Sequence, residues 1–323
     1  MRVISTCGRS SHPARSVTEA LESAILDAAP NSCIFRGGIS ARVAGRLFWE
    51  LHRRNIFPQV LLKCLSPYYH TEDYLAVLIG NHLHHCLPAF LTPGPKHLYL
   101  FDAWPELDPR VATFVRRFGV ASLFVSASQS AQCLAAQLPD VTVAWIPEGV
   151  DPERYHSKPT SERTIDVLQF GRKWGEYHNS ILGPLKKSGK QYLYEEETGQ
   201  LVFPSWQEFA DGLADARISI CFPSSTTHPA RAGGVATMTT RYLQSMASRC
   251  LVVGECPPEM CELFGYEPVI QADMANPARQ LLDILAHYED YHAFIERNYR
   301  TVCAGHTWKH RWEMMQTLLD REV

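Results

Sequence analysis

The chain has 323 residues, of which 46% are hydrophobic and 20% are charged, and its formal charge is -3 at pH 7. This length exceeds what one hydrophobic core usually supports, so we expect two domains. The small acidic excess argues against a nucleic-acid-binding protein, which normally carries a basic surplus. The ten cysteines contain no CxxC pair, and the closest couple, Cys256 and Cys261, has no second pair at zinc-ligand spacing.

Targeting signals are not evident in the sequence. The N-terminal segment lacks the apolar core of a signal peptide, and no later apolar run approaches the length that spans a membrane. Scattered cysteines without a disulfide pattern are typical of a reducing compartment. We therefore expect a cytoplasmic protein without a transmembrane segment. Peripheral contact with a membrane stays open, and the sequence does not indicate an oligomeric state.

The first half of the chain alternates between two patterns. Short apolar runs bounded by turn residues predict strands at 2–7, 32–36, 59–65, 75–79, 97–101 and 122–126. Helical spacing predicts helices at 16–28, 41–54, 110–118 and 128–137. The second of these helices places Val43, Leu47, Phe48 and Leu51 on one apolar face. This alternation predicts a mostly parallel sheet that is covered on both faces.

A break follows near the middle of the chain. Residues 141–155 read VTVAWIPEGVDPERY, and residues 164–173 read TIDVLQFGRK. The pattern predicts a strand, an acidic linker and a new strand that ends at Gly171 and Arg172. We interpret it as the junction of two α/β domains that face each other across a cleft.

The second half repeats the architecture of the first. We predict strands at 164–170, 217–222 and 250–254, and helices at 206–216, 237–248, 278–288, 291–302 and 308–320. The polar, turn-rich segment 177–202 is interpreted as a surface excursion with a small hairpin.

The segment 223–254 carries the strongest chemical pattern. A predicted strand ends before two serines, and two glycines then precede a helix that begins among threonines and an arginine. Free N–H groups at a helix start favour phosphate, and hydroxyl groups and a guanidinium can add contacts. The candidate phosphate-binding residues are Ser224, Ser225, Gly233, Gly234, Thr239, Thr240 and Arg241. An ordinary turn with capping threonines would give the same letters.

These motifs resemble the GT-B glycosyltransferases of family four (glycosyl transferases group 1). The linker WIPEGVD resembles the family hinge, QFGRK its "GR" loop, and GHTWKHRW its C-terminal closure. Residues 235–247 also resemble the spore-maturation-type branch. The resemblance implies an α/β GT-B fold of two Rossmann-like domains: 1–155 would bind the acceptor, 156–305 the nucleotide sugar, and 306–323 would pack back on the first.

The resemblance also assigns roles to residues of the donor domain. Gly171, Arg172 and Lys173 would hold the leaving diphosphate, together with the loop and helix start described above. Gln244 stands where the family has the glutamate that binds the nucleotide ribose, and Ala236 stands at the earlier glutamate position. An amide can hydrogen-bond a ribose hydroxyl as a neutral acceptor.

Candidates in the first half are fewer. Asp102 ends a predicted strand, where it is either a catalytic base, a sugar-positioning group or a turn cap. Gly37 and Gly38 resemble the acceptor or phosphate loop of the family, and His12 is a second candidate base. The histidines of residues 81–86 are not spaced as metal ligands, so we predict no metal site.

We therefore predict a metal-independent glycosyltransferase without a bound cofactor, whose co-substrate is a UDP- or GDP-sugar. The acceptor is a small molecule, a glycan or another partner, and the resemblance favours retention of the anomeric configuration. The substitutions at Gln244 and Ala236 keep a catalytically silent binding or scaffold subunit open. A sugar-nucleotide epimerase of the same fold is a further alternative.

Overall fold

The computed structural model describes residues 1–5, 16–36, 39–54, 73–87, 89–91, 94–197 and 200–320. The chain folds into two compact units. The N-terminal unit is built largely from the chain before Glu148, together with Trp312–Val323, and the C-terminal unit from Glu148–Arg311. The final stretch of the chain therefore groups with the N-terminal unit.

A six-stranded parallel sheet forms the N-terminal unit. Its strands are β1 Arg2–Ser5, β2 Cys33–Arg36, β3 Tyr74–Ile79, β4 Lys96–Phe101, β5 Ser122–Val125 and β6 Thr142–Trp145, in the order β2-β1-β3-β4-β5-β6. The register pairs Val3 with Ile34 on one side and Leu75 on the other. The central strands β3 and β5 are almost entirely buried, as parallel strands covered on both faces must be.

The helices of this unit begin and end close to the predicted limits. They are α1 Ser16–Ala28, α2 Ile39–Arg53, α3 Asp108–Phe118 and α4 Ser128–Gln137. The predicted apolar face of α2 is wrong in part: Phe48 is buried, but Val43 and Leu47 are 61% and 59% exposed. The face of α2 that is buried against the core is therefore narrower than the spacing of its apolar residues predicts. The predicted strand 59–65 lies outside the described residues.

A five-stranded parallel sheet forms the C-terminal unit. Its strands are β7 Ile165–Gln169, β8 Tyr192–Tyr194, β9 Ala216–Cys221, β10 Leu251–Gly254 and β11 Ile270–Gln271, in the order β11-β10-β9-β7-β8. Every neighbouring pair in this order is parallel. The predicted fold class is confirmed: each unit contains a Rossmann-like parallel sheet.

The C-terminal unit is rich in helices. They are α5 Gly175–Lys187, α6 Trp206–Asp215, α7 Ser224–Thr227, α8 Pro229–Ala232, α9 Thr240–Ala247, α10 Pro258–Phe264, α11 Pro277–Ala286 and α12 His292–Gly305. A last helix, α13 Trp308–Leu319, begins in this unit, and from Trp312 onward it groups with the N-terminal one. Ser205 and Glu208 form a capping box at the start of α6, which fixes where that helix begins.

The interpretation of 177–202 as a surface excursion is wrong. Its first part is the helix α5, and Tyr192–Tyr194 is a strand paired in parallel with β7. Tyr177, Ile181 and Leu185 recur every four residues and are fully buried in the core of the unit. Burial of this stripe stabilises the helix despite Pro184 in its last turns.

The linker at the start of the C-terminal unit pairs with the segment before α13. Val150 forms a parallel bridge with Thr307, its N–H donates to His306 O at 3.2 Å, and its carbonyl accepts from Trp308 N at 3.0 Å. The two motifs that the sequence places at opposite ends of the domain therefore meet.

Candidate functional site

The centre of the C-terminal sheet contains a switch point. β7 and β9 are parallel neighbours, but β7 leads outward to β8 and β9 leads outward to β10 on the other side. Such a switch opens a crevice at the carboxyl ends of the strands, where open α/β sheets bind ligands. Gly171 and Arg172 follow β7, and Ser224 follows β9. Two predicted donor loops therefore meet at this switch point.

An arginine from α9 spans the ends of both strands. Arg241 Nη1 donates to Phe170 O at 3.5 Å, and Nη2 donates to Phe222 O at 3.2 Å. Arg172 Nη1 donates to Ser224 Oγ at 3.3 Å, which links the same two loops. The carbonyls that hold Arg241 are neutral, so they orient its guanidinium without cancelling its charge.

The backbone at Gly171 allows this arrangement. Its φ of +73° lies in the left-handed region, which residues with a side chain rarely adopt. A Cβ on Gly171 would lie 3.6 Å from Arg241 Cδ, in contact with the guanidinium arm. We refer below to the arginine edge, which consists of Gly171, Arg172, Ser224 and Arg241.

His228 reports the electrostatic potential beside the arginine edge. Its pKa is lowered by burial, and further by the positive charges of Arg172, Arg231 and Arg241. Three guanidinium groups therefore act on one point of the surface. A site with this potential attracts a polyanion such as a diphosphate.

Two hydroxyl groups close to the arginine edge are buried without a hydrogen-bond partner among the described residues. They are Ser225 Oγ and Thr239 Oγ1. Buried hydroxyls are normally satisfied, because leaving one unpaired costs about 1–3 kcal/mol.

The start of α9 is organised differently from the predicted phosphate site. Thr240 N donates to Glu148 Oε2 at 2.7 Å, and Thr240 Oγ1 donates to the same oxygen. We refer to Thr240 with Glu148 as the acid-capped start. A carboxylate there satisfies the helix dipole, so the place predicted for a phosphate already holds a negative charge.

Gln244 lies one turn further along α9. It is 5% exposed, and its side chain hydrogen-bonds the hydroxyl of Tyr155. Burial raises the pKa of Tyr155, and the bond to Gln244 opposes that rise. The ribose-binding role of Gln244 stays a prediction.

The remaining donor candidates lie around the arginine edge. Lys173 Nζ donates to Glu195 O and lies 5.0 Å from the centre of the Tyr194 ring. β8 and the residue that follows it therefore anchor this cation. Gly233 and Gly234 are exposed between α8 and α9, and Gly233 has a φ of +58°.

Two acidic residues that the sequence analysis did not identify hold the loops of this site. Glu255, directly after β10, accepts from Thr226 Oγ1. Glu259 is 4% exposed, and its Oε1 accepts from Thr237 Oγ1 at 2.7 Å and from Met238 N at 2.6 Å. Because of this anchor, 237–239 is not helical and α9 begins three residues later than predicted. The position of Glu255 after a strand end was the available signal.

Asp102 stands out in the N-terminal unit. It directly follows β4 and has a φ of +52°, a conformation that aspartate tolerates better than most residues. A Cβ at position 80 would clash with the carbonyl oxygen of Asp102, so a glycine is needed there for the two segments to lie this close. Trp104 occupies the N-cap position of the turn Pro105–Leu107 and makes no side-chain capping bond, and the roles predicted for Asp102 stay predictions. Strained backbone of this kind occurs often at functional sites.

His12, Gly37 and Gly38 lie outside the described residues. In the described part of the chain, three or more His, Cys, Asp or Glu side chains nowhere form a group that could hold a metal ion. The rings of His82, His84 and His85 pack on one another, with centroids of His84 and His85 4.4 Å apart. Burial and the nearby Arg46 lower the pKa of His84 to about 4.

Among the described helices, none is both long and apolar enough to cross a membrane.

Comparison with protein families identifies the C-terminal unit. A family model described as glycosyl transferase-like matches residues 162–320, which contain the whole arginine edge. The C-terminal half of the chain therefore matches this family. The match confirms the resemblance to group 1 glycosyltransferases and the predicted enzyme class. A search of curated proteins gave no significant match.

Solved structures with the same fold cover the whole chain. HepE from Anabaena, in complex with UDP and glucose, is 11% identical with a TM-score of 0.64, and the match covers 99% of this chain and 100% of that one. Sucrose-phosphate synthase from Thermosynechococcus elongatus is 10% identical with a TM-score of 0.63, covering 99% and 98%. A glycosyltransferase involved in avilamycin A biosynthesis is 12% identical with a TM-score of 0.57, covering 99% and 97%. At these identities the likeness establishes the GT-B fold.

Proposed function

We propose that this chain transfers a sugar from a nucleotide diphosphate sugar to an acceptor, and that the arginine edge holds the diphosphate. In this reaction the bond between the anomeric carbon and the diphosphate oxygen breaks. The acceptor oxygen forms a bond to that carbon and loses its proton. A UDP-sugar is the first donor to test, because HepE, which shares the fold, was solved with UDP.

The observation that carries the proposal is the pair of arginines at the switch point. Arg241 is oriented by two neutral carbonyls, so its guanidinium keeps its charge for a ligand, and Arg172 lies beside it on the hydroxyl of Ser224. Charge-assisted hydrogen bonds to phosphate are stronger than neutral ones, and they strengthen further as the leaving group gains charge.

The proposed phosphate site differs from the one that the sequence predicts. The phosphate contact moves from the N-terminus of α9, where Glu148 binds Thr240, to the arginine edge beside it. Arg172 and Arg241 would supply the positive charge that stabilises the departing diphosphate. For a retaining reaction the acceptor attacks on the face from which the diphosphate leaves. For an inverting reaction Asp102 is the proposed base.

A catalytically silent relative is the second candidate function, and the acid-capped start favours it. Glu148 places a negative charge where the family resemblance places a phosphate, and Gln244 turns its amide to Tyr155. A protein with these two features could keep the fold without binding a donor. The two functions differ in whether nucleotide binds at all.

The test is an assay of nucleoside diphosphate release with UDP- and GDP-sugars, with and without a mixture of candidate acceptors. Release that requires an acceptor and is lost in Arg241→Ala supports transfer. Arg279→Ala is the matched control, since Arg279 is 81% exposed and pairs with Asp283 on α11. Release with formation of a free epimerised sugar would indicate an epimerase. Absence of nucleotide binding by calorimetry would indicate the silent relative.

A further inference from the structure

Two thiols lie in contact beside the loops of the candidate site. Cys256 Sγ and Cys261 Sγ are 3.0 Å apart, and both residues are partly exposed. Cys256 follows Glu255 at the end of β10, and Cys261 lies on α10. A disulfide bond needs the two sulfurs about 2.05 Å apart, so they must approach by roughly 1 Å.

The two cysteines lie next to the acidic residues that hold the site loops. Glu255 precedes Cys256, and its carboxylate accepts from Thr226. Glu259 lies between the cysteines and accepts from Thr237 Oγ1 and Met238 N. A bond between the sulfurs would close a ring over residues 256–261 and shift the backbone that carries both carboxylates.

We propose that Cys256 and Cys261 are a redox modification site, which closes to a disulfide by exchange with a low-molecular-weight disulfide of the glutathione type. One cysteine thiolate attacks a sulfur of the glutathione disulfide and releases one glutathione thiol. The second cysteine then attacks the mixed disulfide and releases another. The dithiol becomes a disulfide while one glutathione disulfide is reduced to two thiols.

The thiol form is the stable one under reducing conditions. Burial, followed by the neighbouring Cys261 thiol, raises the pKa of Cys256. Either sulfur can make the first attack, because the other lies 3.0 Å away and can resolve the mixed disulfide. When Cys256 is replaced, the mixed disulfide with glutathione should accumulate on Cys261, because no second thiol of the pair remains to resolve it.

Closure of the pair loosens the segments that Glu255 and Glu259 hold. The segment 237–239 is fixed by Glu259, and Thr226 of α7 by Glu255. We expect faster amide hydrogen exchange in 224–239 in the oxidised protein. A weaker affinity for nucleoside diphosphate would follow, and this last step alone rests on the proposed function.

The test uses the full chain, equilibrated in buffers with increasing ratios of oxidised to reduced glutathione and then blocked with an alkylating agent. Digestion after glutamate separates Cys256, in peptide 256–259, from Cys261, in peptide 260–262. We expect these peptides to stay linked in oxidising buffers and to separate on reduction. Their failure to link at every ratio would overturn the proposal.

Variants separate the pair from the other thiols. Cys256→Ser should carry glutathione on Cys261 and form no internal link. Cys303→Ser, at a partly exposed cysteine on α12, should link as the wild type does. Hydrogen exchange of 224–239 is then compared between oxidised and reduced wild type, and equal rates would refute the coupling to the site. This readout needs no nucleotide, so it is independent of whether the chain binds one.

Discussion

The arginine edge and the acid-capped start are neighbours on the same unit, yet they are built in opposite ways. At the arginine edge, Arg241 is oriented by carbonyl groups, which leave its charge available. At the acid-capped start, a helix N-terminus is satisfied by the carboxylate of Glu148. A helix start after a glycine loop is therefore not by itself a phosphate site. It is available to a phosphate only where the protein has not already placed a carboxylate at the helix start.

The largest expected effect comes from breaking the arginine edge. Arg241→Ala removes a charge-assisted contact to phosphate, and we expect the free energy of nucleoside diphosphate binding to weaken by about 1.5–3 kcal/mol, or roughly 10- to 150-fold in affinity. Isothermal titration calorimetry measures the change. Arg241→Lys should recover only part of it, because an ammonium cannot reproduce the two-pronged geometry. An unchanged affinity in a folded Arg241→Ala protein would move the donor site elsewhere.

Glu259 supports the loop between the two regions, and its replacement tests that support. Glu259→Ala leaves the Thr237 hydroxyl and the Met238 N–H buried without their acceptor. We expect the free energy of unfolding to drop by about 1–3 kcal/mol in a urea titration. Glu259→Gln retains an acceptor oxygen and should lose less. Equal losses in both variants would mean that the carboxylate charge, and not the acceptor, holds the loop.

The acid-capped start should depend on pH through His306. Arg311 donates to Glu148 O and to His306 Nδ1. Burial, then Arg311 and His310, lower the pKa of His306 to about 4. A histidine with a lowered pKa is neutral in the folded protein, so its contribution is fully present above the unfolded pKa of about 6.5 and is lost as the pH falls towards 4.

This shift makes a measurable difference between pH 7 and pH 5. We expect His306 alone to lower the free energy of unfolding by about 2 kcal/mol over this interval. His306→Asn removes the titrating group, so its unfolding free energy should fall less steeply. Denaturant titrations at the two pH values compare the slopes, and identical slopes would refute the assignment.

The effect of the negative charge at the acid-capped start can be measured by replacing Glu148. Glu148→Gln keeps an acceptor for Thr240 but deletes the negative charge next to Arg241 on α9. We expect nucleoside diphosphate to bind more tightly, by up to about 1 kcal/mol. Glu153→Gln, an exposed glutamate in the same linker, is the control. Weaker binding in Glu148→Gln would show that the carboxylate assists the ligand.

The smallest effect is expected at Gln244. Because its amide binds Tyr155, Gln244→Ala should lower the free energy of unfolding by about 1 kcal/mol. The donor KM should change by less than about twofold. A clear rise in the donor KM at constant kcat would support the ribose role that the family resemblance predicts for Gln244.

The sequence predicted the six strands of the N-terminal sheet and the three inner strands of the C-terminal sheet, because buried parallel strands are continuous apolar runs with clear ends. It did not predict the two-residue edge strand β11. It missed α5 and β8, since Gly175, Gly183 and Pro184 read as turn residues while the buried stripe of Tyr177, Ile181 and Leu185 was overlooked. At α2 it assigned Val43 and Leu47 to the core. Their spacing fits a helix face, but spacing does not determine how much of that face is covered.

The candidate site was predictable only in part. The ends of strands can be predicted from a sequence, and they are followed here by Gly171, Arg172 and Ser224. The contact of Glu148 with Thr240 joins residues 92 positions apart, and no local pattern indicates it. The same holds for Glu259, whose partners are 21 and 22 positions away. Such contacts between distant residues determine which of the predicted phosphate-binding groups already have a partner in the protein and which can still bind a ligand.

Whether the arginine edge holds the diphosphate can be measured by comparing nucleotides that differ in one phosphate. Calorimetry would measure UDP and UMP, and GDP and GMP, with wild type and with the double variant Arg172→Ala, Arg241→Ala. We predict that wild type prefers the diphosphate and that this preference collapses in the double variant, while the monophosphate loses less. An unchanged preference for the diphosphate in a folded double variant would show that the arginine edge does not hold it.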